Sequence, residues 1–439
     1  MAQLQVLIIG GGVGGLALAF WLGRLGHSVT VVERFPELRA KGQQIDLRGQ
    51  GVTVARRMGL LDKIKAARVQ EQGFKFVDGS GRTRAFFRFT DTGGKGRQGF
   101  TSDYEIMRGD LCRILYDAAR ESDNVRFVFG TTVDGLEQDE HTDSPVTVRF
   151  SSGASEQYDL VVGADGQGSR TRRQLLGLGP GERDPTVRPY GVYAGFFSVA
   201  SLPSDEPVAT GLLAPERRTI MTRVDNPRTT QAYLTVHGEN PRAPELADAI
   251  ARRDVEAQRR AFADIFEGAG WESERLVRAL REREPEADDF YATDVCNVQG
   301  RSWTKGRITL LGDAGYSAAT LSGFGTSGAL IGAYVLAGEI LRHTAGPSAA
   351  NGGGKGGVDI VGALRAYDAK LRPLIEIAQA ISPWIFKVPM QKSAWTITLT
   401  FWLVGIISLL RIDKLLQMLG TDGKPWDLPE YAELESLKA

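Results

Sequence analysis

The chain opens on Leu4-Gln5-Val6-Leu7-Ile8-Ile9, and six residues that include five glycines, Gly10-Gly11-Gly12-Val13-Gly14-Gly15, follow at once. This junction constrains the fold more than any other feature. A short apolar run rich in β-branched residues reads as a strand buried on both faces, as in a parallel sheet. Leu16 to Leu25 then read as a helix ended by Gly26, and His27–Val32 as a second strand that closes on Glu33. Gly10, Gly12 and Gly15 satisfy G-x-G-x-x-G. The first permits a tight turn, the second lets backbone amides approach a pyrophosphate, and the third lets helix and sheet pack closely. Val13 and Gly14 stand at the helix N-terminus, where unpaired N–H groups and the helix dipole favour phosphate. Glu33 is placed to take ribose hydroxyls, and Arg34 beside it to lie over an adenine. The segment predicts a βαβ dinucleotide-binding unit without separating FAD from a nicotinamide cofactor.

With 439 residues the chain exceeds one ordinary core, so two domains are expected. Lys plus Arg equals Asp plus Glu at 53 each, a balance that recruits neither nucleic acid nor an anionic membrane. Cys112 and Cys296 stand far apart and the histidines are scattered, so neither a disulfide framework nor a metal site is expected. The start of the chain lacks the basic region of a signal peptide, and a cytoplasmic, reducing location is the expectation.

Helices are predicted from Gln50 to Ala66 and Arg108 to Arg120, and strands at Val125–Phe129, Val146–Phe150 and Leu160–Gly163. The alternating segments Tyr193–Val199, Thr219–Val224 and Gln231–Val236 predict an antiparallel sheet, the wall of a substrate domain. Charged helices follow near Val255–Glu267 and Glu272–Glu282, and a strand at Arg307–Leu311 returns the chain to its first domain. The fold class is therefore α/β, a Rossmann-like dinucleotide-binding domain (an FAD-binding domain on the resemblance given below) with an inserted, mainly antiparallel substrate domain and a C-terminal helical tail. Boundaries are placed at 1–72, 104–180 and 290–345 for the first domain, and at 73–103 and 181–289 for the second. A glycine-rich loop over 346–358 leads into a helical region over 359–439.

Three later segments decide the cofactor. Asp159-Leu160-Val161-Val162-Gly163-Ala164-Asp165-Gly166-Gln167-Gly168-Ser169-Arg170-Thr171-Arg172 resembles the Asp-Gly motif of the class A FAD-dependent monooxygenases. Gly306-Arg307-Ile308-Thr309-Leu310-Leu311-Gly312-Asp313-Ala314 is similar to their Gly-Asp motif. Glu105-Ile106-Met107-Arg108-Gly109-Asp110-Leu111 resembles their arginine-bearing segment. The resemblance is to the para-hydroxybenzoate hydroxylase-like family, nearest in layout to the tetracycline-inactivating flavin monooxygenases. It implies FAD as cofactor, with Asp313 on the ribityl chain, Arg108 on the ribityl or pyrophosphate region, and Asp165 lining the flavin approach. It also implies a helix starting near Gly325, after Gly323 and with Thr326 and Ser327 in its first turn, pointing its positive end at the flavin pyrimidine. Gly42–Arg48 corresponds to the segment beside the flavin ring, with Gln43 and Arg48 as contacts.

Gly323 to Gly328 also spells G-x-G-x-x-G, but no βαβ unit or closing acid follows it, so NAD(P)H is expected as a transient co-substrate. The family usually carries Ala-His after Gly-Asp-Ala and a proline four residues beyond that histidine; here Gly315-Tyr316 and Thr320 stand there. Ser327 replaces a frequent asparagine and Gly332 a frequent acid. The activity implied is insertion of one oxygen atom from O2 into an organic small molecule (aromatic, enolic or polyketide- or terpenoid-like) through a flavin C4a-hydroperoxide. No side-chain nucleophile or general base is legible. A flavin oxidase, dehydrogenase or halogenase on the same scaffold stays open, as does a non-redox flavoprotein; the W-x-W-x-I-P motif of halogenases is missing. Ser393–Leu410 is uncharged and close to the length of a span. Its threonines and glycine favour a helix laid on the protein, with Trp395 and Trp402 buried, or in peripheral contact with a membrane.

Overall fold

A computed structural model describes residues 2–38, 42–88, 104–139, 144–224, 226, 228–345, 358–382, 387, 389–409 and 426–436. Most of the glycine-rich loop and Arg411 lie outside the described residues. The first domain is built on a six-stranded sheet. Its order is Thr304–Lys305, Ile308–Leu310, Leu160–Gly163, Gln5–Ile9, Ser28–Glu33 and Val125–Phe129, parallel except at the first strand. The central strands are apolar throughout because helices cover one face and a three-stranded sheet (Val133–Glu137, Val146–Phe150, Ser155–Tyr158) the other. The helix Val13–Arg24 begins three residues earlier than Leu16, at the glycine turn itself. It packs against the long helix Gly325–Ala345, which in turn meets Ile360–Gln379.

The second domain is a seven-stranded sheet in the order Tyr291–Val298, Val187–Ala200, Thr229–His237, Arg218–Val224, Ala209–Ala214, Gly73–Val77 and Thr83–Arg88. It is antiparallel apart from the Ala209–Ala214 pairing with Gly73–Val77. One face is covered by the helices Val255–Phe266 and Ser273–Glu282, whose Phe262, Phe266, Leu276 and Leu280 pack on Phe197, Leu234 and Val236. A third helix, Ala243–Ala251, was not legible in the sequence, where Pro244 masks its start; proline is tolerated there because the first-turn N–H has no helical partner. A two-stranded ribbon, Gln44–Asp46 with Glu105–Met107, lies at the seam of the domains.

Two expectations are corrected. The single helix over 50–66 is two, Gln50–Arg57 and Leu61–Ala66, because Gly59 takes φ 73° and turns the chain between them. The tail helix Ala394–Leu409 does not bury its tryptophans: Trp395 and Trp402 are each 69% exposed. Ile397 and Phe401 are buried instead, against Leu213 and Phe76 at the edge of the large sheet. The apolar residues surround this helix, so packing could choose either side, and the shallow sheet edge covers only one.

Candidate functional site

The cofactor-type cleft opens at the C-terminal ends of the parallel strands, as the doubly wound plan requires. Gly10 has φ 116°, and a Cβ there would lie 2.4 Å from the Ala164 carbonyl oxygen. At Gly15 a Cβ would stand 2.0 Å from the Gly10 carbonyl oxygen. Protein packing thus demands both glycines. Gly12 differs: a Cβ there would meet only the Arg108 guanidinium, at 3.8 Å. Its missing side chain keeps open a cradle between the helix start and Arg108, and that is the shape a pyrophosphate needs. Gly12 is the N-cap of the Val13–Arg24 helix, and no side chain caps the amides that follow it, those of Val13 and Gly14 included. At the rim, Glu33 accepts from Gly11 N at 2.8 Å through one carboxylate oxygen and from Phe35 N at 3.1 Å through the other. Arg34 is exposed, its guanidinium 4.8 Å from the centre of the Phe35 ring.

Arg108 opens the helix Arg108–Ala119, and its N–H donates to the Gln43 carbonyl at 3.1 Å. Its side chain passes Gly42 on the way to the cradle, at 3.3 Å from a would-be Cβ there. Asp313 follows Gly312, which has φ 64°, and lies 3.7 Å from where a Cβ on Gly325 would sit. Its carboxyl is open on the cleft side yet set deep among protein. Desolvation raises its pKa, and the Arg108 charge, the hydrogen bond from Ser317 and the Arg172 charge oppose the rise. The helix Gly325–Ala345 begins here, with Gly323 left-handed at φ 61° beside the Arg48 guanidinium and Thr326 half-buried. Segments from four parts of the chain therefore converge: 10–15, Arg108, Asp313 and 323–326.

Other residues turn inward. Asp165 caps the helix Arg170–Leu175, its carboxylate accepting from Ser169 Oγ at 2.5 Å and from Thr171 N at 3.0 Å. Only its backbone borders the glycine turn. Ser327 is fully buried and accepts from Arg48 N at 2.9 Å, so it holds the 42–48 segment. Gln43 accepts a hydrogen bond from the Tyr291 hydroxyl, which ties that segment to the large sheet. Arg172 joins two of the motifs: it pairs with buried Asp184 at 2.8 Å and donates to the Ala314 carbonyl at 2.7 Å.

The departures beside Asp313 form a packed set. The Tyr316 hydroxyl occupies the volume in front of Gly332, where a Cβ would be 1.9 Å away, and it accepts from Tyr367 Oη at 3.0 Å. Tyrosine at 316 and glycine at 332 thus require each other. Likewise Ser327 stands against Gly51, whose Cβ would lie 2.7 Å from that of the serine.

Facing this region, the inner side of the large sheet carries Val192, Ala194, Phe196, Tyr233 and Val295, packed with Ala319 and Met390. The Phe196 ring stacks on Tyr291 at 4.9 Å and meets Tyr233 edge-on at 5.3 Å. Sequence reading missed these residues individually, although the alternation in 193–199 and 231–236 carried the signal. A separate cleft of about 250 Å³, lined by Gln5, Ser28, Asp123, Arg126, Glu156 and Tyr158, sits at the opposite, N-terminal ends of the strands, away from every residue above.

Comparisons with known proteins agree with this geometry. The family described as FAD binding domain matches residues 3–351. The FAD-dependent monooxygenase asL4 of Sarocladium schorii is 37% identical over 450 residues, covering 99% of each chain. The flavin-dependent monooxygenase of Legionella longbeachae is 31% identical, covering 98% of each. The crystal structure of tetracycline destructase Tet(55) superposes with a TM-score of 0.73 at 30% identity, covering 98% of this chain and 99% of that one. The chain belongs to the FAD binding domain family, and within it to the FAD-dependent monooxygenases.

Proposed function

We propose that the chain inserts one oxygen atom into a planar, aromatic or enolic molecule of low charge, held between the flavin ring and the inner face of the large sheet. The observation that carries this reading is the wall of Phe196, Tyr233 and Tyr291, which offers ring faces and edges. Arg223, a guanidinium behind it, is already held by Glu71 and Glu105. In this reading the cradle at Gly12, with the amides of 10–15 and Arg108, holds the pyrophosphate, and Glu33 takes the ribose with Arg34 near the adenine. Asp313 accepts from the ribityl chain, and the start of the Gly325–Ala345 helix meets the pyrimidine. FAD, reduced by a transiently bound NAD(P)H, supplies the oxygen chemistry; the protein orients the two partners and keeps the wall dry. The test is turnover of a panel of phenols and enolic polyketides under labelled O2. One labelled atom in the product supports the proposal, and oxidised but unlabelled product favours an oxidase or dehydrogenase.

We also propose that the helix Ala394–Leu409 rests on a bilayer surface. Trp395, Leu399 and Trp402 are 69%, 48% and 69% exposed at helical spacing, and ahead of the helix Lys387 and Lys392 stand at the surface, 3.9 and 3.6 Å from the Glu239 carboxylate. Exposed tryptophans preceded by surface lysines suit the headgroup region of an anionic membrane. No helix among the described residues is long and apolar enough to cross one. The protein is expected to sediment with anionic vesicles, and Trp395→Ser with Trp402→Ser to stay in the supernatant. Equal sedimentation of both proteins would refute the proposal.

A further inference from the structure

The buried charges around Arg223 at the domain seam do more than hold that guanidinium. Asp46 and Glu105 stand directly opposite each other in the two-stranded ribbon, with their carboxyls within hydrogen-bond reach. Two ionised carboxylates in such a cross-strand position repel. Glu71, from the connection ahead of the large sheet, makes a third carboxyl, and among the described residues two guanidiniums, Arg223 and Arg48, are seen bonded to the three. Arg223 donates through Nε and Nη2 to the two Glu71 oxygens at 2.7 Å each, and Nη2 also reaches both Glu105 oxygens at 3.0 Å. Arg48 donates to Asp46 Oδ2 at 2.6 Å. Two neutral groups complete the described surroundings: Gln44 Nε2 donates to Glu105 at 2.6 Å, and Gln44 N donates to the Tyr233 hydroxyl at 3.1 Å. Arg68, whose backbone bridges Ile106, points to solvent.

Glu71 and Glu105 have side chains only 2% and 3% exposed, so a surplus negative charge among them is costly. Asp46 Oδ1 is buried and finds no N–H or O–H donor among the described residues. One proton on Glu105 answers both problems: it removes the surplus charge and supplies the missing donor.

We propose that Glu105 is a neutral carboxylic acid sharing its proton with Asp46, and that this pair positions Arg48 beside the start of the Gly325–Ala345 helix. Burial pushes the Glu105 carboxyl up to about 9; Arg223 pulls it down, and Asp46 and Glu71 push it further up. Glu105 is a positioning residue, acting on the site through Asp46 and Arg48. Its consequence for the cofactor rests on the FAD reading. Ionised, it would leave a net negative charge behind Arg48, at the end where the flavin gains electron density on reduction.

Infrared spectroscopy of the full chain tests the proton directly. A protonated carboxyl C=O band is expected in the wild type at neutral pH, fading as pH passes about 9, and absent in Glu105→Gln. The titration of this band in the wild type stands even if the variant fails to fold; a spectrum without such a band overturns the proposal. Thermal melting gives a second reading. An acid whose pKa is raised on folding contributes stability that is complete below its unfolded value of about 4.5 and lost as pH climbs to about 9. The wild-type melting temperature should therefore fall more steeply across that range than that of Glu105→Gln, and parallel curves overturn the proposal. A third reading is the flavin midpoint potential, which falls with pH in any flavoprotein and should fall more steeply through pH 9 in the wild type than in Glu105→Gln. A potential indifferent to Glu105, with the carboxyl band present, removes the role assigned to Arg48. A colourless wild type instead strikes at the FAD reading and leaves the band to judge Glu105.

Discussion

Gly12, Asp313 and Gly332 each carry a single task that a substitution isolates. A side chain on Gly12 meets no backbone, only the end of Arg108, so Gly12→Val should fold normally and purify without flavin colour. Heat release of FAD from the wild type but not from the variant checks it. Asp313→Ala and Arg108→Ala should each weaken FAD binding by about 1–3 kcal/mol, roughly fivefold to 150-fold, as polar groups of the cofactor lose their partners. Titration of stripped protein with FAD measures this, and unchanged affinity in both would show that the motifs were misaligned. Since depth raises the Asp313 pKa, the carboxylate is lost as pH falls through a value above the ordinary Asp range. FAD should accordingly start to dissociate at a higher pH than titration of an ordinary aspartate would give, and Asp313→Asn should remove that pH dependence. Gly332→Ala should lower the melting temperature because its methyl meets the Tyr316 hydroxyl. Adding Tyr316→Phe should restore part of the loss.

At the scale of elements, the tail divides into two pieces with different work. The helix Ala394–Leu409 lies against the edge of the large sheet through Ile397 and Phe401. The segment 426–436 instead locks into the main core of the first domain, where Tyr431 is 1% exposed and donates to Glu339 Oε1 at 2.6 Å. Its ring covers Gly338 of the long helix so closely that a Cβ there would lie 2.4 Å away. Arg57 reaches the same place, bonded to the Pro429 carbonyl at 3.2 Å. Bracing of the first domain therefore falls to this short segment. Tyr431→Ala should cost about 3–5 kcal/mol, the range for deleting a large buried ring, read as a loss in denaturant midpoint. Trp402→Ser, on the exposed face of the preceding helix, should leave that midpoint nearly unchanged.

For the whole molecule, the cleft is assembled from residues 10–15, 108, 313 and 323–326, so a ligand bound there ties distant stretches of chain together. Binding to the folded state alone raises stability in proportion to RT ln(1 + [L]/Kd), about 2.7 kcal/mol at a hundredfold excess over Kd. Adding FAD to stripped protein should raise its melting temperature, and Gly12→Val should abolish that rise while melting like the stripped wild type.

The N-terminal strand, the glycine turn and Glu33 were legible because their tasks are local: backbone approach, a helix end and a strand end lie within one βαβ unit. That Asp313 and Arg108 would meet at one cleft followed from family motifs, and the alternation of the large sheet from its period of two. The split of 50–66 at Gly59 was not, since its helical pattern runs on across a glycine that only the fold turns. Nor could the chain reveal that Asp165 would spend its carboxylate on Ser169 and Thr171, or that Tyr316 would need Gly332. Helix Ala394–Leu409 is apolar on all sides, so its sequence could not say which face would be covered. Local tasks were written in the order of residues along the chain. The buried charges of Asp46, Glu71, Glu105 and Arg223 come from segments far apart in that order, and folding alone brought them within hydrogen-bond distance, where burial sets their charge.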